Sequence, residues 1–263
     1  MKSQENASGK PLADVNWLYN HHNAKLKERT SFALRLAQFN PKSIVDLGCA
    51  SGLWLELLDK YLPDNCTFIG IDSDEAALTI AHEKSKLWKH KSSFMQLNIE
   101  DDVSKIPSAD LTLAFNIFPY INNLDEFITA LSNRVPKGRL VIRQYDGASI
   151  RFGPMDTHER QKIETSLRVA TEGSQKFRHY DMDRTFESLY KSNYTNIDSR
   201  FELFERTAPF NSSFIPYYEE MLNWTCDHIS EQSSEYLKQW LSEDPEYTIP
   251  RYFYEVDLVT FVS

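Results

Sequence analysis

Ile44-Val45-Asp46-Leu47-Gly48-Cys49-Ala50-Ser51-Gly52 reads as a buried strand that runs into a turn of small residues and then opens a helix. Gly48 lets the chain bend while its backbone comes close to a ligand, and the helix started at Gly52 offers free N–H groups to an anionic group. In an open α/β sheet that place is the switch point, where ligands collect. A second carboxylate, Asp72, closes the next apolar run, Phe68-Ile69-Gly70-Ile71-Asp72, 24 positions after Gly48. That spacing puts an acceptor where the hydroxyls of a ribose would lie.

Outward from the turn, strand and helix patterns alternate. Helical spacing over Val15–Phe39 predicts a leading helix stopped by Asn40 and Pro41. Strands are expected at Ser43–Leu47, Thr67–Ile71, Ser93–Asn98, Leu111–Phe115 and Arg139–Tyr145, and helices at Gly52–Tyr61, Asp74–Trp88 and Leu124–Val135. The last of these strands is opened by the Pro136, Lys137, Gly138 turn. Such alternation implies parallel pairing through right-handed crossovers, hence a doubly wound α/β sheet. Further on, Met155–Glu172 and Asp183–Tyr194 have helical character, and Asn196–Arg206 and Tyr252–Val262 alternate as the last two strands. The 44 residues from Thr207 to Pro250 are too many for a plain hairpin. Phe214, Tyr217, Met221, Trp224 and His228 recur three or four apart there, and Tyr236, Leu237, Trp240 and Leu241 suggest a second short helix. An inserted helical cap over 207–250 is expected, within a single domain over 1–263, with 1–40 forming a helical segment over the ligand.

Composition narrows the partners. A formal net charge of −9 gives no basic field to collect phosphates, so nucleic acid is disfavoured. Cys49, Cys66 and Cys226 form no CxxC pair and no metal-ligand spacing, so no metal is expected and free thiols in a cytoplasmic, reducing compartment are. The polar start, Met1 to Asn16, has no apolar core of signal-peptide length. Leu111–Ile121, the longest nearly uncharged apolar stretch, is about half the ~20 residues of a membrane helix, so no membrane association is expected.

The turn lacks the middle and last glycines of the GxGxxG dinucleotide fingerprint. An aspartate just before it suits a cationic ligand better than a pyrophosphate. VDLGCASG followed by FIGIDSD resembles motif I and the acidic second-strand end of class I S-adenosylmethionine-dependent methyltransferases, a likeness that covers roughly Trp17 to Asp146 and is specific for cofactor rather than substrate, while the lead-in Trp17, Tyr19 and Glu28-Arg29-Thr30 resembles the amino-terminal helix of the small-molecule members. The resemblance implies a Rossmann-like methyltransferase fold of seven strands, the last antiparallel. It implies that Asp46 and the Gly48, Cys49, Ala50 and Gly52 backbone surround the methionine end of S-adenosyl-L-methionine. Asp72 would take the ribose diol with Ser73 beside it, Asn98 and Ile99 would meet adenine, and Asn116 the amino group. Tyr19 would lie on the leading helix over the cofactor, and Arg29 would pair with the methionine carboxylate. Ala50 departs from the family's usual second glycine.

Methyl transfer is an in-line displacement on an activated carbon, so the protein must place the acceptor and receive its proton. Acceptor-side groups belong at the carboxyl ends of the fourth and fifth strands and in whatever covers them. The candidates are Phe118, Pro119, Tyr120, Tyr145, Asp146 and Arg151, with Tyr217 and Met221 from the cap, and Tyr120, Tyr145 and His179 are candidate proton acceptors. The expected reaction is methylation of an oxygen or nitrogen of a small molecule, releasing S-adenosyl-L-homocysteine. A protein or RNA acceptor, or a non-catalytic nucleoside-binding module of the same fold, stays open.

Overall fold

The computed structural model describes residues 15–134, 138–173, 182–244, 247 and 249–263. Strands β1 (Ser43–Leu47), β2 (Thr67–Asp72), β3 (Lys91–Gln96), β4 (Leu111–Phe115) and β5 (Arg139–Tyr145) run parallel in the order β3-β2-β1-β4-β5. A short β6 (Arg151–Gly153), β7 (Ile197–Thr207) and β8 (Tyr252–Val262) complete the sheet. β8 runs antiparallel to the rest, its second half against β5, its first three residues against β6, and its whole length against β7. The expected doubly wound, mostly parallel sheet is therefore present, with eight strands among the described residues rather than seven. The additional one is β6, too short for its alternation to stand out in the sequence.

Alternation along the strands sends side chains to two faces. Ile44, Leu111, Leu113, Val141 and Val259 pack with Phe32, Leu36, Leu55 and Leu58 from α2 (Leu26–Ala37) and α3 (Leu53–Tyr61). Val45, Leu47, Ala114, Ile142 and Val262 pack on the other face with Phe127, Ile128 and Leu131 of α5 (Leu124–Arg134) and Leu189 of α7 (Met182–Lys191). Full burial of each such side chain stabilises by about 1.5–3 kcal/mol. Helix α4 (Glu75–Ser85) follows β2 and is capped by Asp74, whose carboxylate accepts the N–H groups of Ala76 (2.9 Å) and Ala77 (3.2 Å).

The leading segment is two helices, not one. α1 (Val15–Ala24) and α2 are separated at Lys25, whose φ of −107° and ψ of 15° break the helical path. The break sends α1 towards the cap, while α2 lies on the sheet. The cap comprises α8 (Ile215–Cys226) and α9 (Glu231–Ser242), joined by α6 (Thr157–Gly173). Phe214, Tyr217, Met221, Leu237 and Trp240 form a third core with Phe152, Phe204 and Phe253 of β6, β7 and β8. Pro136, Lys137 and His179 lie outside the described residues. Among the described residues no helix is long and apolar enough to cross a membrane.

Candidate active site

The β1–α3 turn is held in an unusual backbone conformation. Gly48, Ala50 and Gly52 have φ values of 69°, 45° and 76°. A Cβ on Gly48 would meet Ile117 Cγ2 at 2.5 Å, so glycine is required there both for its conformation and for the close approach. Ala50 adopts the left-handed region at some cost, and its N–H donates to Asp72 Oδ2 (2.8 Å) while Asp74 N–H donates to Oδ1 (2.9 Å). The two bonds orient Asp72 across the mouth of the turn. Each oxygen keeps a lone pair for a further donor. Burial pushes the Asp72 carboxyl above the ordinary carboxylate range, against the pull of those N–H groups.

Asp46 is 2% exposed and, among the described residues, its carboxylate has no hydrogen-bond or ion-pair partner. Burial and then the neighbouring Asp72 push it up to about 8. Arg29 projects from α2, 8% exposed, with Nη1 2.7 Å from His22 Nδ1 and its guanidinium 5.0 Å from the centre of the Trp54 ring. It has no carboxylate partner among the described residues. Burial and Arg143 pull it down to about 9, which leaves it charged at neutral pH. A buried carboxyl group that a bound cation would ionise, and a buried guanidinium with no carboxylate partner among the described residues, fit a ligand that brings a cation and a carboxylate. An α-amino acid does so.

The other candidates separate into groups. Ser73 is half-buried beside Asp72, and its carbonyl accepts from Gln96. Asn98 is exposed past the end of β3, its Oδ1 accepting Glu100 N–H at 3.1 Å, with Ile99 half-buried next to it. Asn116 follows β4 at φ 56°, and its Oδ1 accepts the Tyr145 N–H (3.1 Å), tying the ends of β4 and β5 together. Cys49 is buried, and burial raises its thiol far above the ordinary range, so it is a packing group. Tyr19 is 53% exposed and is not gathered into the turn.

On the acceptor side, Tyr120 and Tyr145 are half-buried, and the Tyr145 ring meets Trp224 of α8 edge-on at 6.4 Å. Phe118 and Pro119 are buried, Phe118 within the α5 face of the sheet, and Met221 is in the cap core. Asp146 accepts from Ala148 N–H and Ser149 Oγ as the cap of a short turn. Arg151 binds Tyr254 and Glu164. The Tyr217 hydroxyl donates to Glu255, and its ring stacks on His21 at 4.9 Å. These side chains are engaged by the fold rather than turned together towards one point.

The sequence reading missed an adjoining ionic cluster. Lys25 contacts Glu255, and Arg143 binds Asp257 through Nε (2.7 Å) and Nη2 (2.6 Å), all four being buried. Burial, then Lys25, Arg29, Arg143 and His22, hold the His21 imidazole well below its ordinary range. Arg143 and Asp257 lie on the antiparallel pair β5 and β8, Glu255 precedes on β8, and Lys25 and His21 reach them from the leading segment, a long-range arrangement with no local signal.

Residues 19–258 match the family model described as a methyltransferase domain. The chain belongs to that family. Its cofactor is S-adenosylmethionine. The protein-lysine N-methyltransferase efm4 of Schizosaccharomyces pombe is 33% identical over 105 residues, 38% of this chain and 41% of that protein, so the match spans less than half of that relative. Among solved structures, a presumed methyltransferase from Bacillus halodurans C-125 is similar at a TM-score of 0.53 and 11% identity, covering 89% of this chain and 97% of that one. An O-methyltransferase family protein from Burkholderia thailandensis is similar at 0.50 and 15%, covering 69% and 55%. At such identities these two likenesses concern the fold of the methyltransferase domain.

Proposed function

We propose that this methyltransferase domain transfers a methyl group from S-adenosylmethionine to an oxygen or nitrogen of a small-molecule acceptor. The observation that carries the cofactor pose is the pair of buried titratable groups, the Asp46 carboxyl and the Arg29 guanidinium, neither with an ion-pair partner among the described residues, flanking a turn that only Gly48 can make. Asp46 holds the cationic end, Arg29 the carboxylate, and Asp72 the ribose diol, with Asn98 and Ile99 towards the adenine. Bound there, the cofactor supplies a methyl carbon activated by its sulfonium. The protein's own task is to align the acceptor and exclude water.

A small acceptor is favoured by what stands over the strand ends. α1 and α8 meet there through Trp17, His21 and Tyr217, and the Trp224 ring meets Tyr145, giving aromatic surface of the kind that suits a small molecule. Tyr120 and Tyr145, at the ends of β4 and β5, are the described residues proposed to contact the acceptor and accept its proton. A lysine side chain of a protein is the second reading, favoured by the similarity to efm4.

Calorimetry with S-adenosylmethionine, S-adenosylhomocysteine and NAD tests the cofactor site. Both adenosyl compounds are expected to bind and NAD is not; NAD binding alone overturns the pose. Release of S-adenosylhomocysteine with a panel of hydroxylated and amino aromatic compounds, against lysine-containing polypeptides, separates the two acceptor classes. Turnover confined to the polypeptides overturns the small-molecule reading.

A further inference from the structure

Strand β7 is one edge of the sheet among the described residues, paired only with β8 along Ile197–Thr207. An edge of this length offers a row of unpaired backbone donors and acceptors, which soluble proteins usually blunt with charged side chains, proline or a bulge; β7 carries Asp198, Arg200, Glu202, Glu205 and Arg206, charges of both signs that a second copy of the strand can pair. β7 contains no lysine and no proline, and its pairing with β8 is unbroken through all 11 residues. It presents Phe201, 62% exposed, and Leu203, 55% exposed, side by side on one face.

We propose that β7 is a self-association edge, pairing antiparallel with β7 of a second copy of this chain about a two-fold axis at Phe201. The charge pattern together with the length paired argues for this occupant and this register: axes at Ser199 and Phe204 also oppose no like charges, but they pair only 5 and 7 of the 11 residues of β7, against 9 at Phe201. A two-fold axis perpendicular to the sheet keeps each face on its own side, so only residues of like parity come opposite one another. Centred on Glu202, the pairing sets that carboxylate against its own copy, and centred on Leu203 it sets Arg200 against Arg206. Centred on Phe201, it sets Arg200 opposite Glu202 twice, packs Phe201 on its copy, and leaves no like charges opposed. Cross-strand pairs of these kinds are the unit of sheet stabilisation. Within one chain Arg200 Nε already lies 3.1 Å from Glu202 Oε1, so the two copies would form an alternating square of charges.

The interface is a single strand pair with its flanks, small for a stable dimer, so association is expected in the range of tens of micromolar. Sedimentation velocity of the full chain, from about 1 to 200 µM, should show a concentration-dependent dimer. Arg200→Glu and Phe201→Asp each change an exposed side chain and should weaken it roughly tenfold or more. Arg200→Glu mixed with Glu202→Arg should form a mixed dimer although neither associates alone, because the opposed charges are then complementary. Circular dichroism of each variant checks the fold. If Glu202→Arg unfolds through loss of its Arg35 and Arg143 contacts, the Arg200→Glu and Phe201→Asp series decides alone. A native chain that stays monomeric throughout, or a dimer that Arg200→Glu and Phe201→Asp leave intact, overturns the proposal.

Discussion

Gly48 and Ala50 share the left-handed region, yet substitution should act in opposite directions at the two positions. A methyl on Gly48 collides with Ile117, and Gly48→Ala is expected to cost about 1–3 kcal/mol and to weaken cofactor binding, because the turn must shift. Ala50 already bears its methyl in an unfavourable conformation. Ala50→Gly should relieve about 1 kcal/mol and raise the melting temperature by roughly 2–4 °C, with cofactor affinity retained. Differential scanning fluorimetry with and without S-adenosylmethionine reads both. Asp46 gives a pH signature. Its carboxyl is raised to about 8, so the free protein holds a proton there at neutral pH. A group raised on folding contributes stability that is complete below its unfolded pKa of about 3.9 and is lost as pH rises through about 8. A bound cation reverses that preference, so binding should release a proton at pH 7 and tighten about tenfold per pH unit up to pH 8. Calorimetry in two buffers of different ionisation enthalpy measures the proton, and Asp46→Asn should abolish it. An Asp46→Asn protein with the same pH dependence would remove Asp46 from the cationic end.

β8 is the element on which the buried ions depend, since it brings Glu255 to Lys25 and Asp257 to Arg143. Removing one member of a buried pair leaves the other charge unsolvated, so Lys25→Met or Glu255→Gln should each cost about 3–5 kcal/mol. The double substitution removes both charges and should cost less than the sum, which urea unfolding of the three variants measures as a coupling energy. If the single effects simply add, Lys25 and Glu255 do not act as a pair. The same element marks the boundary of what the sequence discloses. Asp46, Gly48 and Asp72 were readable because a strand, a turn and the next strand's end carry their signal within about 30 residues of chain. The break between α1 and α2 was not, because Lys25 is an ordinary helix former, and its buried contacts with Glu255, Phe204 and Tyr217 come from elements far away in the chain. His21 and Arg143 look like surface residues in sequence, and only the register of β8 and the crossing of α8 over α1 bury them. Tyr217 and Met221 were legible as one apolar stripe, but periodicity could not say whether the stripe lines a pocket or packs a core, and the structure places both in the core.

At the scale of the whole molecule, the described residues form three apolar clusters, and β8 runs through all of them. Val262 belongs to the α5 face, Val259 to the α2 face, and Phe253 to the cap. An insertion with its own core could have unfolded independently, leaving the sheet intact. Here the cap shares a strand with the sheet, and Phe253 is fully buried with rings of Phe152, Phe204, Phe214, Tyr217 and Tyr218 around it. Loss of that side chain opens a cavity in the cap at the point where the strand continues into the catalytic sheet. Phe253→Ala should therefore cost about 3–5 kcal/mol and lower a single calorimetric transition by roughly 6–20 °C. Two transitions, with only one displaced by the substitution, would mean that the cap is a separate cooperative unit and that β8 does not transmit its stability to the cofactor turn. A single displaced transition makes cap and sheet one unit, so damage far from Asp46 would reach the cofactor site through stability rather than contact.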